Sequence, residues 1–368
     1  MDAVQAHEAP SSRIDLDGFS REIIALRKRV YASLGPEDLT HLEKVVGWGR
    51  AATVIGHATA WMGPNPVAIL GLALGRSTRW ILMHHVGHKG YDKVPGVPAR
   101  FTSKVFARGK RRFLDWPDWM LPDAWIHEHN VMHHSFTGED DDPDLIERNT
   151  EWVHGLPKPV RWALFGVLAA TWRASYYAEA TTSAWLSRFG RETSKRELQR
   201  TLWLECWLPY AALEFVAKPL CYAPLGPLAV GSAAINSVAA DIVSNLHTFL
   251  VVGPNHAGED LYRFEGRAAS KAEQYLRQVV ASVNFRTGGD LNDYLHLWLN
   301  YQIEHHLFPD LPMSAYARIQ PEVKAICERY GVPYVQESVW TRFSKMARIF
   351  VGDAKQRRDG GEVFGIAR

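Results

Sequence analysis

Val67-Ala-Ile-Leu-Gly-Leu-Ala-Leu-Gly-Arg76-Ser-Thr-Arg79-Trp-Ile-Leu-Met83 runs straight into His84-His85-Val86-Gly87-His88. Apart from Arg76 and Arg79 the run is apolar, and it is preceded by a second apolar stretch, Val45 to Gly63, across the break Gly63-Pro64-Asn65-Pro66. Two apolar helices joined by a tight proline turn make a helical hairpin. Each is near the lower end of the roughly 17–25 residues that span a bilayer. A hairpin returns both outer ends to one side, so the histidines emerge where the second helix is expected to end. A second apolar region, Leu202 to Gly253, is broken at Pro224-Leu225-Gly226-Pro227 and predicts a second hairpin. Its first half is interrupted by Glu205, Pro209, Glu214 and Lys218; Glu214 and Lys218 are spaced to pair on one helix face. Its second half carries one charge, Asp241, which inside a span is either a functional group or a helix–helix hydrogen bond.

Working outward, residues 18–46 carry helix-period apolar positions among many charges and predict a soluble or interfacial helix. Residues 160–180 predict a second interfacial helix. The tail from Asp353 is polar and reads as disordered, and Met1 to Asp17 lacks the apolar region of a signal peptide. The basic run in 100–112 is either a solvated charge run or, by the positive-inside rule, a mark that the histidines face the cytoplasm. A soluble protein with buried helices is the competing reading. The histidine clusters at the hairpin ends favour the membrane.

Composition excludes several classes. The formal charge of +2 implies no nucleic-acid partner. Cys206, Cys221 and Cys327 form no Cys-x-x-Cys pair, which argues against a disulfide framework, a zinc ribbon or an iron–sulfur site. Mean hydropathy is -0.20, so the chain is not uniformly apolar.

Nine of the sixteen histidines fall in three clusters: His84-His85-Val-Gly-His88, His127-Glu-His129-Asn-Val-Met-His133-His134 and Gln302-Ile-Glu-His305-His306. Packing gives no reason to gather imidazoles, because buried polar rings are costly unless paired. Metal binding does, since neutral imidazole is the commonest metal ligand. At 100° per residue, His84 and His88 lie about 40° apart, His129 and His133 share a face, and His134 points about 100° from His133. Gln302, His305 and His306 share a face. A single zinc site uses three or four ligands, so this count predicts two ions. Nitrogen ligands leave iron, zinc, copper and nickel open. A zinc protease is excluded, because His127-Glu128 has no histidine at position 131.

These boxes resemble those of the membrane fatty acid desaturases. His84 and His88 match HxxxH; His129, His133 and His134 match the second box; Gln302, His305 and His306 match the third in its glutamine form. The flanks agree: His133-His134-Ser-Phe-Thr137 followed by Asp142-Pro143-Asp144, and Asn300-Tyr-Gln-Ile-Glu-His-His-Leu-Phe-Pro309. The likeness covers residues 45–335, with an N-terminal cytoplasmic or interfacial helical segment at 1–44 and a polar tail at 336–368. It implies an all-α integral membrane protein: a four-helix bundle in two hairpins, under a cytoplasmic helical cap that holds a di-iron centre. It implies O2-dependent desaturation of a fatty acyl chain carried on lipid, CoA or a carrier protein. Electrons would come from a separate ferredoxin or cytochrome b5-type donor with its reductase.

The resemblance assigns iron to His84, His88, His129, His133, His134, His305 and His306. It adds one histidine between the second hairpin and the third box: His256, which lies in an Asn-His context, rather than His247. Asp142 and Asp144 would brace the second box. His85, where an acid is common, His127 and Gln302 would either orient a ligand imidazole from behind or bind metal themselves. His296 falls off the third-box face if that helix is continuous. His7, His41, His57 and His154 read as ordinary histidines. The rival enzymes are a hydroxylase, ketolase or decarboxylase built on the same centre, the first box faintly resembling that of alkane hydroxylases. The rival from another class is a zinc-binding membrane receptor or sensor.

Overall fold

The computed structural model describes residues 14–359, which are mostly helical. In chain order the main helices are α1 (Leu16–Ala32), α2 (Pro36–Thr59), α3 (Pro66–Gly87), α4 (residues 122–136), α5 (residues 158–187), α6 (residues 195–220), α7 (Pro227–Val252), α8 (Lys271–Val280), α9 (Asp290–Leu295), α10 (Gln302–Leu307), α11 (Met313–Tyr330) and α12 (Val339–Phe350). The chain divides into two compact units. One holds residues 35–132 and 162–252; the other holds the described parts of 1–34, 133–161 and 253–368.

In the first unit, α2 packs along α3, and α3 along α7. The α2–α3 contact is close because glycines face it. A Cβ on Gly71 would lie 2.7 Å from the Ala52 carbonyl oxygen, and one on Gly56 would lie 2.7 Å from the Leu72 nitrogen. Small residues let backbones approach in this way. The expectation of one helix over 18–46 is corrected. The chain breaks after Ala32 and α2 starts at Pro36, where proline suits the first turn and Asp38 accepts the Gly35 N–H at 2.9 Å. The helix end expected before His84 is also corrected. His84 and His85 lie inside α3, which stops at Gly87, shortly before Lys89 turns left-handed at φ 65°.

Helix α6 starts at Lys195, ahead of the apolar stretch, and opens into π-helical turns at Leu202–Trp207 and Ala212–Ala217. Each precedes a proline, Pro209 or Pro219, which has no N–H to give and whose ring crowds the carbonyl four residues back. Glu214 pairs with Lys218, as its spacing predicts, and also with Arg76 at 3.0 Å. Asp241 accepts from Tyr210 Oη (2.5 Å) and Trp119 Nε1 (3.1 Å), a helix–helix role. Among the described residues one helical stretch, Pro227–His256, is long and apolar enough to cross a membrane.

In the second unit, α1 lies on α8 and α11, with Phe19, Ile23 and Leu26 buried and Phe19 edge-on to Tyr330. Two short parallel strand pairs close it: β1 (Tyr262–Phe264) with β4 (Arg357–Asp359), and β2 (Asn284–Phe285) with β3 (Gln336–Glu337). The disordered tail is thereby corrected for 353–359. Residues 357–359 form β4, and the Gln356 N–H donates to the buried Glu147 carboxylate at 2.8 Å. The readings of 1–13, including His7, and of 360–368 lie outside the described residues.

Candidate metal centre

Three imidazoles converge in the first unit. Helix α3 brings His84 and His88 to its C-terminal end, and α4 brings His129. The ring centroids are 5.0 Å apart for His84 and His88, 4.8 Å for His84 and His129, and 5.1 Å for His88 and His129. Asn130 Nδ2 donates to the Gly87 carbonyl at 2.8 Å and ties α4 to the end of α3. All three rings are buried, Trp125 stacks on His129, and the Tyr177 hydroxyl stands 3.5 Å from His129 Nδ1. His85 is fully buried beside His84. His127 is only half-buried, with its ring against Trp185 and away from these three.

Helix α4 explains part of this. Residues 126–133 wind as a π-helix, with hydrogen bonds running from i to i+5. The 100° phase used for His129, His133 and His134 therefore does not hold there. His129 belongs to the first unit, and His133 and His134 to the second.

In the second unit His133, His256 and His306 meet, with centroids 4.8, 5.1 and 4.5 Å apart. His134 stacks on His306 at 4.3 Å and lies 4.8 Å from His305. His133, His256, His305 and His306 are each anchored on Nδ1. His133 Nδ1 bonds Asp142 Oδ1 at 2.9 Å, His306 Nδ1 bonds Gln278 Oε1 at 2.8 Å, His256 Nδ1 bonds the Ala281 carbonyl at 3.1 Å, and His305 Nδ1 bonds Tyr316 Oη at 3.1 Å. The Gln278 orientation is fixed because its Nε2 donates to the His134 carbonyl at 3.0 Å. Tyr316 Oη directs its one proton to the Leu311 carbonyl at 3.0 Å, with the carbonyls of 308 and 309 at 3.3 Å, which leaves its lone pair for His305. An imidazole that donates through Nδ1 presents a bare lone pair on Nε2, the form a metal takes. His306 Nε2 is buried with no hydrogen-bond partner.

The donor atoms of each three-histidine set lie within 4.8 Å of one another. Nitrogens sharing one ion at ~2.1 Å stand roughly 3 to 4 Å apart, so a small contraction closes either set on a metal. The electrostatics suit a neutral donor set. Burial, together with His133 and His256, holds His134 well below the ordinary imidazole range, and burial with its neighbouring histidines does the same to His306. His133 is the exception. Burial pulls it down, but the Asp142 charge and hydrogen bond outweigh that and raise it. Asp142 is correspondingly lowered: burial pushes it up, and His133 with the Gly138 and Asp144 N–H groups pulls it further down. Asp144 is the outer member, 3.9 Å from His133 Nδ1.

Gln302 Nε2 lies 2.8 Å from His256 Nε2, while Gln302 Oε1 is buried without a partner. The amide thus holds the lone pair that an ion would need. His256 itself is on a 3-10 turn, Gly253–His256, after α7 ends, so the helical phase between it and His247 does not apply. His247 bonds Ser77 Oγ at 3.0 Å in the first unit. The chain ahead of the third box is not a continuous helix either. Leu297 and Trp298 are both left-handed at φ 55°, a strained pair held by burial, and they turn the chain between α9 and α10. His296 bonds its own Asn292 carbonyl. His57 pairs with Tyr222, His154 caps the carbonyls of residues 349 and 350, and His41 stands near a shallow surface pocket. Gln278, Ala281, Tyr316 and Tyr177 are the anchors that sequence reading missed.

A family model described as "Fatty acid desaturase" matches residues 59–338. The NADPH-dependent stearoyl-CoA 9-desaturase of Mycobacterium tuberculosis is 24% identical over 353 residues, which is 91% of this chain and 79% of that one. The sn-1 linoleoyl-lipid 6-desaturase of Arthrospira platensis is 24% identical over 344 residues, covering 86% and 87%. The acyl-lipid (7-3)-desaturase of Diacronema lutheri is 30% identical over 308 residues, covering 78% and 64%.

Proposed function

The chain belongs to the fatty acid desaturase family, and from that premise we propose that it uses O2 to place a C=C bond in a fatty acyl chain at a pair of histidine-held irons. The observation that carries this reading is the pair of imidazole sets, buried except for the half-buried His256, one of them with its Nδ1 atoms pinned to carboxylate, amide and carbonyl oxygens. His84, His88 and His129 would hold one ion, and His133, His256 and His306 the other, with His134 and His305 completing the shell. Asp142, backed by Asp144, orients His133. Gln302 must turn its amide to free His256, which brings its own unpartnered oxygen to that side. His85 packs behind His84, and His127 stays outside the shell.

When bound, the iron pair supplies the oxidising power to break C–H bonds that no acid or base side chain attacks. O2 and two electrons with two protons, plus two hydrogens from the chain, leave one double bond and two waters. The protein's part is to keep His134, His256 and His306 unprotonated, fix the directions of the donor nitrogens and exclude water with the indoles around His84 and His129. The electrons are assigned to a separate ferredoxin or cytochrome b5-type donor and its reductase. Names of relatives that carry stearoyl-CoA and acyl-lipid support an acyl substrate. We assign the desaturase domain to 45–335, with α2–α3 and α6–α7 as two membrane hairpins and the histidines on the cytoplasmic side. The length of α7 and the basic run at 100–112 support that arrangement.

Gas chromatography of fatty acids from an expressing host, with metal analysis of the purified protein, tests the proposal. A new double bond and about two irons per chain are expected. His305→Ala should still insert into the membrane, bind less iron and give no product. Added oxygen without a new double bond, or turnover by His305→Ala, refutes it.

A further inference from the structure

The His84–His88–His129 set is walled by indoles, and their hydrogen bonding is unusual. Trp80, Trp116 and Trp125 are each buried to 2% exposure or less, and none of their N–H groups has a hydrogen-bond partner. Buried indole N–H groups ordinarily find an acceptor, and an unmet donor is destabilising. Phenylalanine would fill such space without that cost, so packing alone does not account for three tryptophans here. Their rings are also linked. Trp125 stacks on His129 at 4.6 Å and 25°. Trp80 follows at 6.4 Å from Trp125, Trp172 at 6.2 Å from Trp80, and Tyr177 stacks on Trp172 at 5.1 Å and 27°. Tyr176, half-buried, lies parallel to Tyr177 at 6.4 Å and 4°. Trp116 is a buried side branch from Trp125 at 6.2 Å.

We propose that Trp125, Trp80, Trp172, Tyr177 and Tyr176 form a redox relay that drains oxidising equivalents from the metal centre to the protein surface when no acyl chain is bound. The inference rests on the metal reading above. The oxidant would be the iron pair that these histidines would hold, supplied with O2 and electrons when no acyl chain offers a C–H bond. One electron moves inward along the aromatic chain and the vacancy moves outward. Trp125 and Trp80 have no acceptor for the indole proton, so neither traps the vacancy by deprotonating; each passes it on. Tyr176 ends the chain, releasing its phenolic proton to solvent as it loses its electron. A thiol in solution then returns one electron and one proton and becomes a thiyl radical, and the thiyl radicals from two such discharges couple to one disulfide. Without the relay, the oxidation is spent on Trp125 or the ligand histidines.

The test mixes the iron-loaded, chemically reduced full chain with O2 in the absence of acyl substrate. O2 uptake is recorded on the same sample. Freeze-quench electron paramagnetic resonance looks for aromatic radicals, and peptide mass spectrometry maps oxidised residues. A tyrosyl radical is expected in the natural protein. Because the Tyr177 hydroxyl also stands 3.5 Å from His129 Nδ1, the relay is cut at Tyr177: Tyr177→Phe, at matched iron content, should weaken that signal several-fold and raise oxidation at Trp80 and Trp125. Tyr176→Phe, at the surface, should move the radical to Tyr177 with altered hyperfine structure. O2 uptake with no aromatic radical, or an oxidation map that neither variant changes, overturns the relay and leaves the metal reading standing. No O2 uptake by iron-loaded protein overturns both.

Discussion

At the scale of single residues, the second unit's site is governed by what lies behind each imidazole. Asp142 is buried, accepts from His133 Nδ1 at 2.9 Å and also takes the Gly138 and Asp144 N–H groups at 2.9 Å each. Asp142→Asn keeps the shape and can still accept from His133, but it removes the charge that makes the imidazole a better ligand. Partners of this kind affect metal affinity by about 10–100-fold, and a loss in that range is expected on metal titration. Asp142→Ala should lose more, because three donors go unmet. His57→Ala, whose ring bonds Tyr222 away from both imidazole sets, should leave affinity unchanged. The residues that sequence reading singled out were those whose message is local: histidines three to five positions apart, and an acid eight or nine positions beyond. Gln278, Ala281 and Tyr316 were not legible. Each meets its histidine across 28, 25 or 11 residues through a fold that spacing does not encode. Gln278 alone left a trace, as a polar side chain on the buried face of α8 beside Leu276 and Val279.

At the scale of elements, apolar runs and proline–glycine breaks located the helices of both hairpins but not their ends. Apolar character says what a helix buries, whereas caps and local winding decide where it starts and stops. Pro36 with Asp38 starts α2 among charged residues, α3 carries its helix through two histidines, and the π-helical turns in α4 and α6 shift phase in a way a fixed 100° per residue misses. The turn at Leu297–Trp298 carries no glycine to announce it. The glycines of the α2–α3 seam offer a test of packing. Gly71→Ala places a methyl against backbone atoms of α2 at 2.7 and 2.8 Å, so the helices must part. Overpacking of this kind costs about 1–3 kcal/mol, and a lower thermal midpoint in detergent is expected. Gly47→Ala, also on α2 but with nothing within 4 Å of its new Cβ, should instead stabilise by about 0.5–1 kcal/mol through helix propensity. Equal effects from the two would show that α2 and α3 are not in this close contact.

At the scale of the whole molecule, gathering so many imidazoles couples stability to pH, and the sign can be worked out group by group. His134 and His306 have depressed values in the folded state. Their stabilisation is complete above the unfolded value near 6.5 and is lost as pH falls below it, because the unfolded chain takes up protons that the folded one refuses. Glu304 runs the other way. Burial pushes it up to about 7, partly offset by hydrogen bonds from Asn284 and Tyr334, so the folded state gains relative stability as pH falls through that range. His133, raised by Asp142 against its burial, contributes fully below 6.5 and loses that contribution as pH rises through its folded value. Asp142 is lowered and stays ionised throughout this window. His85 and His256, which burial lowers to about 3, act in the same direction as His134 and His306, while burial raises Asp118 to about 6 and adds to the opposing effect of Glu304. Between pH 6.5 and 5.5 four imidazoles therefore oppose two carboxyls, and the metal-free protein should lose stability. A bound ion adds to this dependence. Where His133 is charged, the ion must displace the proton from its Nε2, and it holds the other rings neutral, so protons and metal compete directly. Thermal midpoints of metal-free and loaded protein from pH 7.5 to 5.5, with metal content after dialysis at each pH, check the argument. The loaded protein should have the higher midpoint at pH 7.5, and the gap should close by pH 5.5 as metal is released. A gap that persists at pH 5.5 with metal retained would mean that the ion is held by groups other than these imidazoles.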